Sequence, residues 1–172
     1  MKRFAILIIL TFMLCVVLSG NAFALDYYAR QINFCDYYAP LNDRANIYGN
    51  EICKVDIGEV VMAADYDSQF AYCCYNGQYG YILKRYLDEN IMPWSEGEFC
   101  IGNCKEWVSL RPMPDDRIEA CARIPLGAKL DTVIYHDSGH VDENFAFVSY
   151  NGQYGFVKWR YLNPVYYGFG YQ

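Results

Sequence analysis

Residues 70–80 read FAYCCYNGQYG and residues 145–155 read FAFVSYNGQYG, so the sequence repeats itself. The identity continues in the triplet RYL, at residues 85–87 and again at 160–162. Further upstream the two copies align at four pairs of positions: Cys35 with Cys104, Tyr38 with Trp107, Leu41 with Leu110 and Gly58 with Gly127. A self-match of this length indicates two copies of one structural unit.

Each copy has the pattern of a β structure. Short stretches rich in Val, Ile, Tyr and Phe are bounded by Gly, Asn, Asp and Pro, and no long segment has a helical period. Asn-Gly in the middle of each copy predicts a two-residue hairpin turn of type I′, whose twist suits the flanking strands. In the second copy we expect strands at 107–111, 128–135, 145–150 and 154–157, with a long early loop reaching to Ile124. This pattern predicts a small barrel.

The second copy resembles a bacterial SH3-like (SH3b) domain. The resemblance is carried by four segments: WVSLR at 107–111, RIPLG at 123–127, YNGQYGFV at 150–157 and RYL at 160–162. The first copy is similar but has APLN at 39–42, where the family usually reads Val-x-Leu/Val-Arg. The resemblance implies an all-β fold of two tandem SH3-like small β-barrels.

The N-terminus has the features of a secretory signal peptide. Lys2 and Arg3 precede an apolar run from residue 4 to 18, and Ala22-Phe23-Ala24 supplies an A-x-A cleavage site. The rival interpretation is an uncleaved anchor, but the run is shorter than the roughly 20 residues that a spanning helix needs. We therefore expect cleavage after Ala24, no membrane span afterwards, and a secreted or periplasmic location in the cell envelope.

These observations predict the organisation of the whole chain. Its parts are a signal peptide at 1–24, a first SH3-like domain at 25–90, a linker at 91–103, a second SH3-like domain at 104–164 and a C-terminal tail at 165–172. The boundary is placed where Pro93, Ser95 and Gly97 interrupt the strand pattern.

The net charge argues against some classes of ligand. The chain has 14 Lys+Arg and 20 Asp+Glu. Residues 1–24 hold two of the basic residues and no acidic one, so the mature chain carries a formal charge of −8. Nucleic acid is an unsuitable partner for such a chain.

Seven cysteines remain after cleavage, in a chain expected to reach an oxidising compartment, which favours disulfides. Zinc is the alternative, but the sequence has no C-x-x-C pair. Cys35 with Cys53, and Cys104 with Cys121, bracket the same long loop in each copy. We predict these two bonds, each stabilising its unit by about 3 kcal/mol.

The other three cysteines stay undecided at this level. Strand alternation turns Cys73 inward, as a small buried hydrophobe, and Cys74 outward. An outward Cys74 has two possible partners, Cys100 or a second chain.

The sequence offers little catalytic chemistry. Its two histidines, His136 and His140, lie in one loop without an evident nucleophile beside them. Together with Asp137, Asp142 and Glu143 they form either a solvated loop or a divalent-ion site, and the solvated loop is the commoner case. We predict no enzyme activity, no catalytic residue, no metal and no cofactor.

Aromatic residues make up 18% of the chain and supply the candidate binding surface. Most of them fill and rim small barrels, but Tyr37, Tyr38, Trp107 and Trp159 are predicted to form shallow grooves beside the long loop. Arg111 and Arg160 would lie at the edge of the groove, ready for carboxylates. The rival interpretation places Trp107 in the core. The second copy is the preferred site because it keeps the family's Val-Ser-Leu-Arg strand.

The resemblance implies a non-catalytic binding or targeting module of the bacterial cell envelope that recognises the peptide part of peptidoglycan. The alternative is a structural or partner-binding envelope protein that uses its paired barrels to bind a peptide segment of another envelope protein. Fold alone does not decide between them, because SH3-like folds serve many functions.

Overall fold

The computed structural model describes residues 25–92, 98–134 and 143–165. Outside these residues lie the predicted signal peptide, part of the predicted linker, both histidines and nearly all of the predicted C-terminal tail. No helix within the described segments is long and apolar enough to span a membrane.

The first repeat forms one antiparallel sheet. Its strands, in chain order, are β1 (Tyr28–Ile32), β2 (Tyr38–Asn42), β3 (Glu51–Asp56), β4 (Val60–Asp65), β5 (Phe70–Tyr75), β6 (Gln78–Leu83) and β7 (Leu87–Asp88). Their order across the sheet is β3-β2-β6-β5-β4-β1-β7. A 3₁₀ turn, Lys84–Tyr86, separates β6 from β7.

The second repeat contains the same parts. Its strands are β8 (Phe99–Ile101), β9 (Trp107–Leu110), β10 (Ala122–Pro125), β11 (Thr132–Ile134), β12 (Phe145–Tyr150), β13 (Gln153–Lys158) and β14 (Leu162–Pro164), with a 3₁₀ turn at Trp159–Tyr161. They pair as β10-β9, β11-β12-β13 and β14-β8. Single bridges from Arg111 to Phe156 and from Cys100 to Lys129 connect these ladders. The strand order therefore matches that of the first repeat.

Each repeat encloses its own apolar core. Inward side chains from β1 to β6 form the first core: Ile32, Ala39, Leu41, Val55, Val61, Ala63, Ala71, Cys73 and Ile82. The second core draws on all seven of the second repeat's strands and includes Phe99, Ile101, Val108, Leu110, Ile124, Val133, Val148, Val157 and Leu162. The all-β class predicted from the sequence is confirmed, and the repeated strand order is consistent with two SH3-like units.

The hairpin turns and one glycine in each repeat explain the shared YNGQYG motif. Both residues of each Asn-Gly turn have positive φ, 45° and 74° in the first repeat and 50° and 74° in the second, as a type I′ turn requires. The last glycine of the motif lies against the strand that the hairpin crosses. A Cβ on Gly80 would lie 2.5 Å from the Asn42 carbonyl oxygen, and one on Gly155 would lie 2.6 Å from that of Arg111.

The structure departs from the sequence-based outline at three places, and at one of them the strand expected at 128–135 begins only at Thr132. Residues 99–101, which the sequence assigned to the linker at 91–103, form β8 and pair with β14. Residues 122–125, expected to be mostly loop, form β10 and pair with β9. Both strands are short, and each depends on a partner that a local pattern does not reveal.

The two repeats pack against each other through an apolar interface. It consists of Val60 with Ala29, Met62 and Ile91 from the first repeat, and Ile134, Phe145, Phe147 and Phe156 from the second. Neighbouring residues of these strands point the opposite way, into the cores, as Val61 does in β4 and Val148 does in β12. Strands β4 and β12 are therefore apolar on both faces, one for the core and one for the interface.

Polar contacts from the first hairpin turn add to this interface. The Asn76 side-chain oxygen accepts a hydrogen bond from the Phe145 amide at 3.0 Å. The Tyr79 hydroxyl donates to Asp115 Oδ2 at 3.0 Å, and Arg117 donates to the Gly77 carbonyl at 3.1 Å. The hairpin of the first repeat is thus held on the second repeat.

All seven cysteines of the described residues are unbonded. Cys35 and Cys53 pack against the first core and Cys104 against the second, while Cys121 is exposed. The pairs Cys35–Cys53 and Cys104–Cys121 therefore stay predictions.

Cys73 and Cys74 are both fully buried. The inward orientation of Cys73 is confirmed, because it belongs to the first core. The outward orientation predicted for Cys74 fits the structure, because Cys74 does not belong to the first core, but its side chain is buried. Burial raises the pKa of the Cys74 thiol, and the charges of Asp115 and Arg117 of the second repeat also act on it. An interface that the sequence did not reveal covers this outward face.

Candidate functional site

The second repeat has a groove where three of the predicted ligand-binding residues meet. We call it the second groove, after its repeat. It has a volume of about 240 Å³ and is lined by Trp107, Val108, Ser109, Arg111, Asp116, Phe145, Lys158, Arg160 and Tyr161. Strand β9 supplies one wall, and the end of β13 with the following 3₁₀ turn supplies the other. The predicted residues Trp107, Arg111 and Arg160 are thus brought together.

Trp107 is a surface residue, 40% exposed, so the rival interpretation of this ring as core is wrong. It begins β9, and Arg123 on the neighbouring strand β10 places its guanidinium 4.1 Å from the centre of the indole ring. A cation over an aromatic face stabilises the ring's position and leaves its other face for a ligand.

The cations of the second groove already have carboxylate partners. Glu143 bonds Lys158 at 2.7 Å and also pairs with Arg160, while Asp116 lies 3.8 Å from Arg111 and also pairs with Lys158. The hydrogen bond from Lys158 lowers the pKa of Glu143, and the bond to Asp116, with that to Glu143, raises the pKa of Lys158. This groove is a closed ion-pair network rather than a row of free cations.

The first repeat has a groove that overlaps the equivalent place, because three of its lining residues, Tyr38, Arg85 and Tyr86, match Trp107, Arg160 and Tyr161 of the second groove. This first groove has a volume of about 500 Å³ and is lined by Phe34, Cys35, Asp36, Tyr37, Tyr38, Arg85 and Tyr86. The predicted residues Tyr37 and Tyr38 lie here, away from the other predicted residues. Tyr37 is 79% exposed and Tyr38 36% exposed.

At the positions that the two grooves share, the aromatic rings and their neighbouring cations correspond. Lys54 stands 4.4 Å from the Tyr38 ring centre, as Arg123 stands over Trp107. On the opposite wall the guanidinium of Arg85 lies 4.8 Å from the Tyr86 ring. Arg160 lies 5.1 Å from the Tyr161 ring in the same way. Each groove therefore combines one aromatic ring backed by a cation with one Arg-Tyr pair.

The local fold explains this correspondence. Arg-Tyr occurs in the RYL triplet of each copy, and both copies place it in a 3₁₀ turn directly after the long hairpin. The turn is fixed in the same way in each repeat, since Lys84 N donates to the Gln69 carbonyl and Trp159 N to the Asn144 carbonyl, both at 2.8 Å.

The structure places Trp159, the remaining predicted contact, on the inner side of its turn. Its half-buried ring packs against the second core and meets Phe99 edge-on with the ring centres 5.8 Å apart. Lys158 and Tyr161, the residues on either side of the Trp159-Arg160 pair, line the groove instead. Sequence reasoning missed Arg85, Tyr86 and Tyr161, although the repeated RYL triplet was the signal that would have found them.

The loop that carries Asp116 is anchored to the first repeat. Asp115 is 4% exposed, and its carboxylate accepts bonds from the Arg117 side chain at 2.7–3.1 Å and from Tyr79. Arg117 is the main cause that lowers the pKa of Asp115 to about 2. One wall of the second groove is therefore positioned by the contact between the repeats.

The lining of both grooves is suited to contacts with a ligand. Aromatic faces, hydroxyls and guanidinium groups line them, which suits stacking and charge-assisted hydrogen bonds. Among the residues that the structure describes, no cluster of three or more His, Cys, Asp or Glu side chains is arranged to hold a metal ion. The loop with His136 and His140 is outside those residues.

Comparisons with known proteins give only distant likenesses. No protein-family model matches the sequence, and no curated protein matches it. Among solved structures, the chain is similar to NlpC2 from Trichomonas vaginalis, with 12% identity and a TM-score of 0.37. That likeness covers 81% of this chain and 48% of the other. NlpC1 from the same organism has 12% identity and a TM-score of 0.38, covering 84% of this chain and 48% of that one. The chain spans about half the length of each.

Proposed function

We propose that this protein is a non-catalytic binding module of the bacterial cell envelope that holds the peptide part of peptidoglycan in its two grooves. The observation that carries the proposal is the recurrence of one groove in both repeats. Aromatic residues at Tyr38 and Trp107, each backed by a cation, face an Arg-Tyr pair in both cases. The SH3-like resemblance and the signal peptide expected from the sequence support the envelope as the setting.

The groove chemistry suits a short peptide better than a sugar phosphate polymer. The rings offer apolar area with few freely rotating bonds, and the arginines offer paired donors for a carboxylate. The formal charge of −8 expected for the mature chain repels polyanions at long range, whereas the local cations act at short range, within a Debye length of about 8 Å in physiological salt. A peptide with a few carboxylates is compatible with both properties.

Two equivalent grooves on one rigidly packed chain also favour a repetitive ligand. When two sites engage neighbouring copies of one ligand, the second binding event is intramolecular and the overall affinity rises by about 10²–10⁴. Peptidoglycan presents its peptides as a regular array, so even weak grooves would hold the protein on it.

A second candidate function, binding to a partner protein, is supported by the hairpin of the second repeat. The first hairpin docks on the second repeat through Tyr79, whereas the identical NGQY turn of the second repeat is exposed and its Tyr154 is 63% exposed. The NGQY turn thus contacts protein in the first repeat, and its copy in the second repeat is exposed to solvent.

The test is co-sedimentation of the purified mature protein with peptidoglycan at moderate salt. We expect wild-type protein to pellet, and the Tyr38→Ala, Trp107→Ala double variant to lose at least about tenfold in affinity, because each exposed ring is worth roughly 1 kcal/mol of contact. Tyr154→Ala is the matched control, an exposed aromatic outside both grooves, and should bind as wild type.

Melting temperatures of all variants exclude loss by unfolding. Wild-type protein that stays in the supernatant would refute the proposal. Loss of binding in Tyr154→Ala alone would move the contact to the hairpin.

A further inference from the structure

The two grooves differ in one respect that bears on their ligand. Arg160 in the second groove is paired with Glu143. Its counterpart Arg85 in the first groove makes no ion pair within the described residues, and its side-chain contacts are the hydroxyl and ring of Tyr86. An exposed guanidinium without a carboxylate is a ready donor pair for an anionic ligand.

The absence of a partner for Arg85 follows from two replacements between the repeats. The matching backbone bonds to the Gln69 and Asn144 carbonyls put Ser68 in the position of Glu143. Matching loop bonds, Gly49 N to the Asn46 carbonyl and Ile118 N to the Asp115 carbonyl, put Ile47 in the position of Asp116. In the first groove, uncharged residues thus replace both acids that neutralise the second groove, while the arginine is retained. Asp36 lines the first groove but leaves Arg85 unpaired.

A second, independent observation concerns Phe34. Its backbone is left-handed, with φ at 59°, and its ring is 73% exposed. The equivalent residue of the second repeat, Asn103, has φ at 53° and uses its side-chain amide to donate to the Arg160 carbonyl at 2.9 Å. Asn tolerates this conformation, whereas a bulky residue there is strained. The first repeat thus keeps a strained, exposed aromatic ring at the rim of its groove, at a position where Asn fits without strain.

We propose that the first groove, not the second, receives a carboxylate of the ligand on Arg85, and that Phe34 is the apolar contact beside it. The inference rests on the function proposed above and specifies its ligand: a peptide segment with a free carboxylate next to an apolar or small side chain. In the second groove the same carboxylate would have to displace Glu143 from Arg160 and Lys158. That groove suits the uncharged part of the ligand.

The experiment compares binding to native peptidoglycan with binding to peptidoglycan whose carboxylates have been converted to amides by carbodiimide and ammonia. Wild-type protein should bind the amidated wall roughly tenfold more weakly, because the charge-assisted bonds to Arg85 are lost. Arg85→Gln should bind both walls equally, at the weak level. Arg160→Gln, the matched control in the second groove, should keep the wild-type preference for the native wall.

The outcomes separate this inference from the proposed function. If the wild type binds both walls equally, or if Arg160→Gln is the variant that loses the preference, the inference is wrong while wall binding stands. If the wild type binds neither wall, the proposed function fails as well.

Phe34→Asn tests the role of the strained residue, because the melting temperature and the affinity for peptidoglycan should change in opposite directions. The variant should melt higher, by on the order of 4 °C, because Asn relieves the strain. Its affinity for native peptidoglycan should fall at least about fivefold, because the ring contact is lost. An unchanged affinity would refute the role of Phe34, whatever the melting temperature.

Discussion

At the scale of single residues, Glu59 shows how the repeats differ in chemistry at matched positions. It follows Gly58 in the turn before β4, and its counterpart after Gly127 in the second repeat is Ala128, which packs against the second core. A carboxyl group at such a position loses hydration. Burial, together with the nearby Asp56, raises the pKa of Glu59 to about 7. The first repeat thus keeps an acid where the second has a methyl group.

This raised pKa predicts a pH-dependent stability. The folded state prefers the protonated carboxyl. The contribution of Glu59 to stability is therefore greatest below pH 4.5 and is lost as pH rises through about 7. The Glu59→Gln side chain is neutral at every pH. The free energy of unfolding of this variant should equal that of wild type at pH 4 and exceed it at pH 8 by no more than about 3 kcal/mol.

Urea unfolding at both pH values measures the difference. Asp36→Asn, which also replaces one acid by its amide but at an exposed position of the same repeat, is the matched control for the charge change. Equal stability of wild type and Glu59→Gln at pH 8 would contradict the raised pKa.

At the scale of strands and turns, the YNGQYG motif has two separate structural roles. Its Asn-Gly pair makes the turn, and its last glycine allows β13 to cross β9 and form the bridge between Arg111 and Phe156. The Arg111 amide donates to the Phe156 carbonyl at 3.0 Å, and the Phe156 amide donates to the Arg111 carbonyl at 2.8 Å. Because Arg111 and Lys158 both line the second groove, the crossing also determines the shape of that groove.

The two glycines should therefore respond differently to the same substitution. In Gly155→Ala the new Cβ meets the Arg111 carbonyl and the Leu110 side chain at 2.6–3.0 Å, which forces the strands apart. We expect a loss of about 1–3 kcal/mol in the free energy of unfolding. In Gly152→Ala nothing lies within 4 Å, and only the positive φ of 74° costs energy, about 1–2 kcal/mol.

Because the two expected losses of stability overlap, the structural response distinguishes the two variants. Amide shifts of Arg111 and Phe156 in NMR spectra should change in Gly155→Ala and stay the same in Gly152→Ala. If Gly155→Ala leaves the Arg111 amide in place, the close crossing is not what requires the glycine.

At the scale of the whole molecule, the two repeats form one packed body. The apolar interface around Val60, Phe147 and Phe156 is joined by the buried Asp115, which accepts bonds from both repeats. A small barrel buries only about 60% of its extended surface and is marginally stable alone, so a shared apolar interface adds what each core lacks. It also keeps the two grooves in one relative position.

This arrangement predicts that the repeats unfold together. Wild-type protein should show one calorimetric transition, while Val60→Asp, which buries an unpaired charge in the interface, should separate it into two transitions and destabilise the protein by several kcal/mol. Ile47→Asp is the matched control, because Ile47 is 63% exposed, and should melt as wild type. Two transitions already present in wild type would show that the interface does not couple the repeats.

Features that depend on neighbours along the chain could be predicted from the amino-acid sequence. The duplicated motif, the Asn-Gly turns and the alternation that buries Cys73 all follow from local backbone preference and side-chain period. The sequence also identified part of the lining of each groove, since Tyr38 lines the first groove and Trp107 and Arg160 line the second.

Which of these residues line the same groove, and which of the arginines have a carboxylate partner, became clear from the three-dimensional fold. Whether an arginine is free depends on an acid 17 positions away, present as Glu143 for Arg160 and replaced by Ser68 for Arg85. Cys74 is buried although it lies outside its own core, and Trp159 packs inward against Phe99, a residue distant in sequence. Local patterns describe which face of a strand is apolar, but what covers that face is determined by long-range packing, and here the second repeat covers the first.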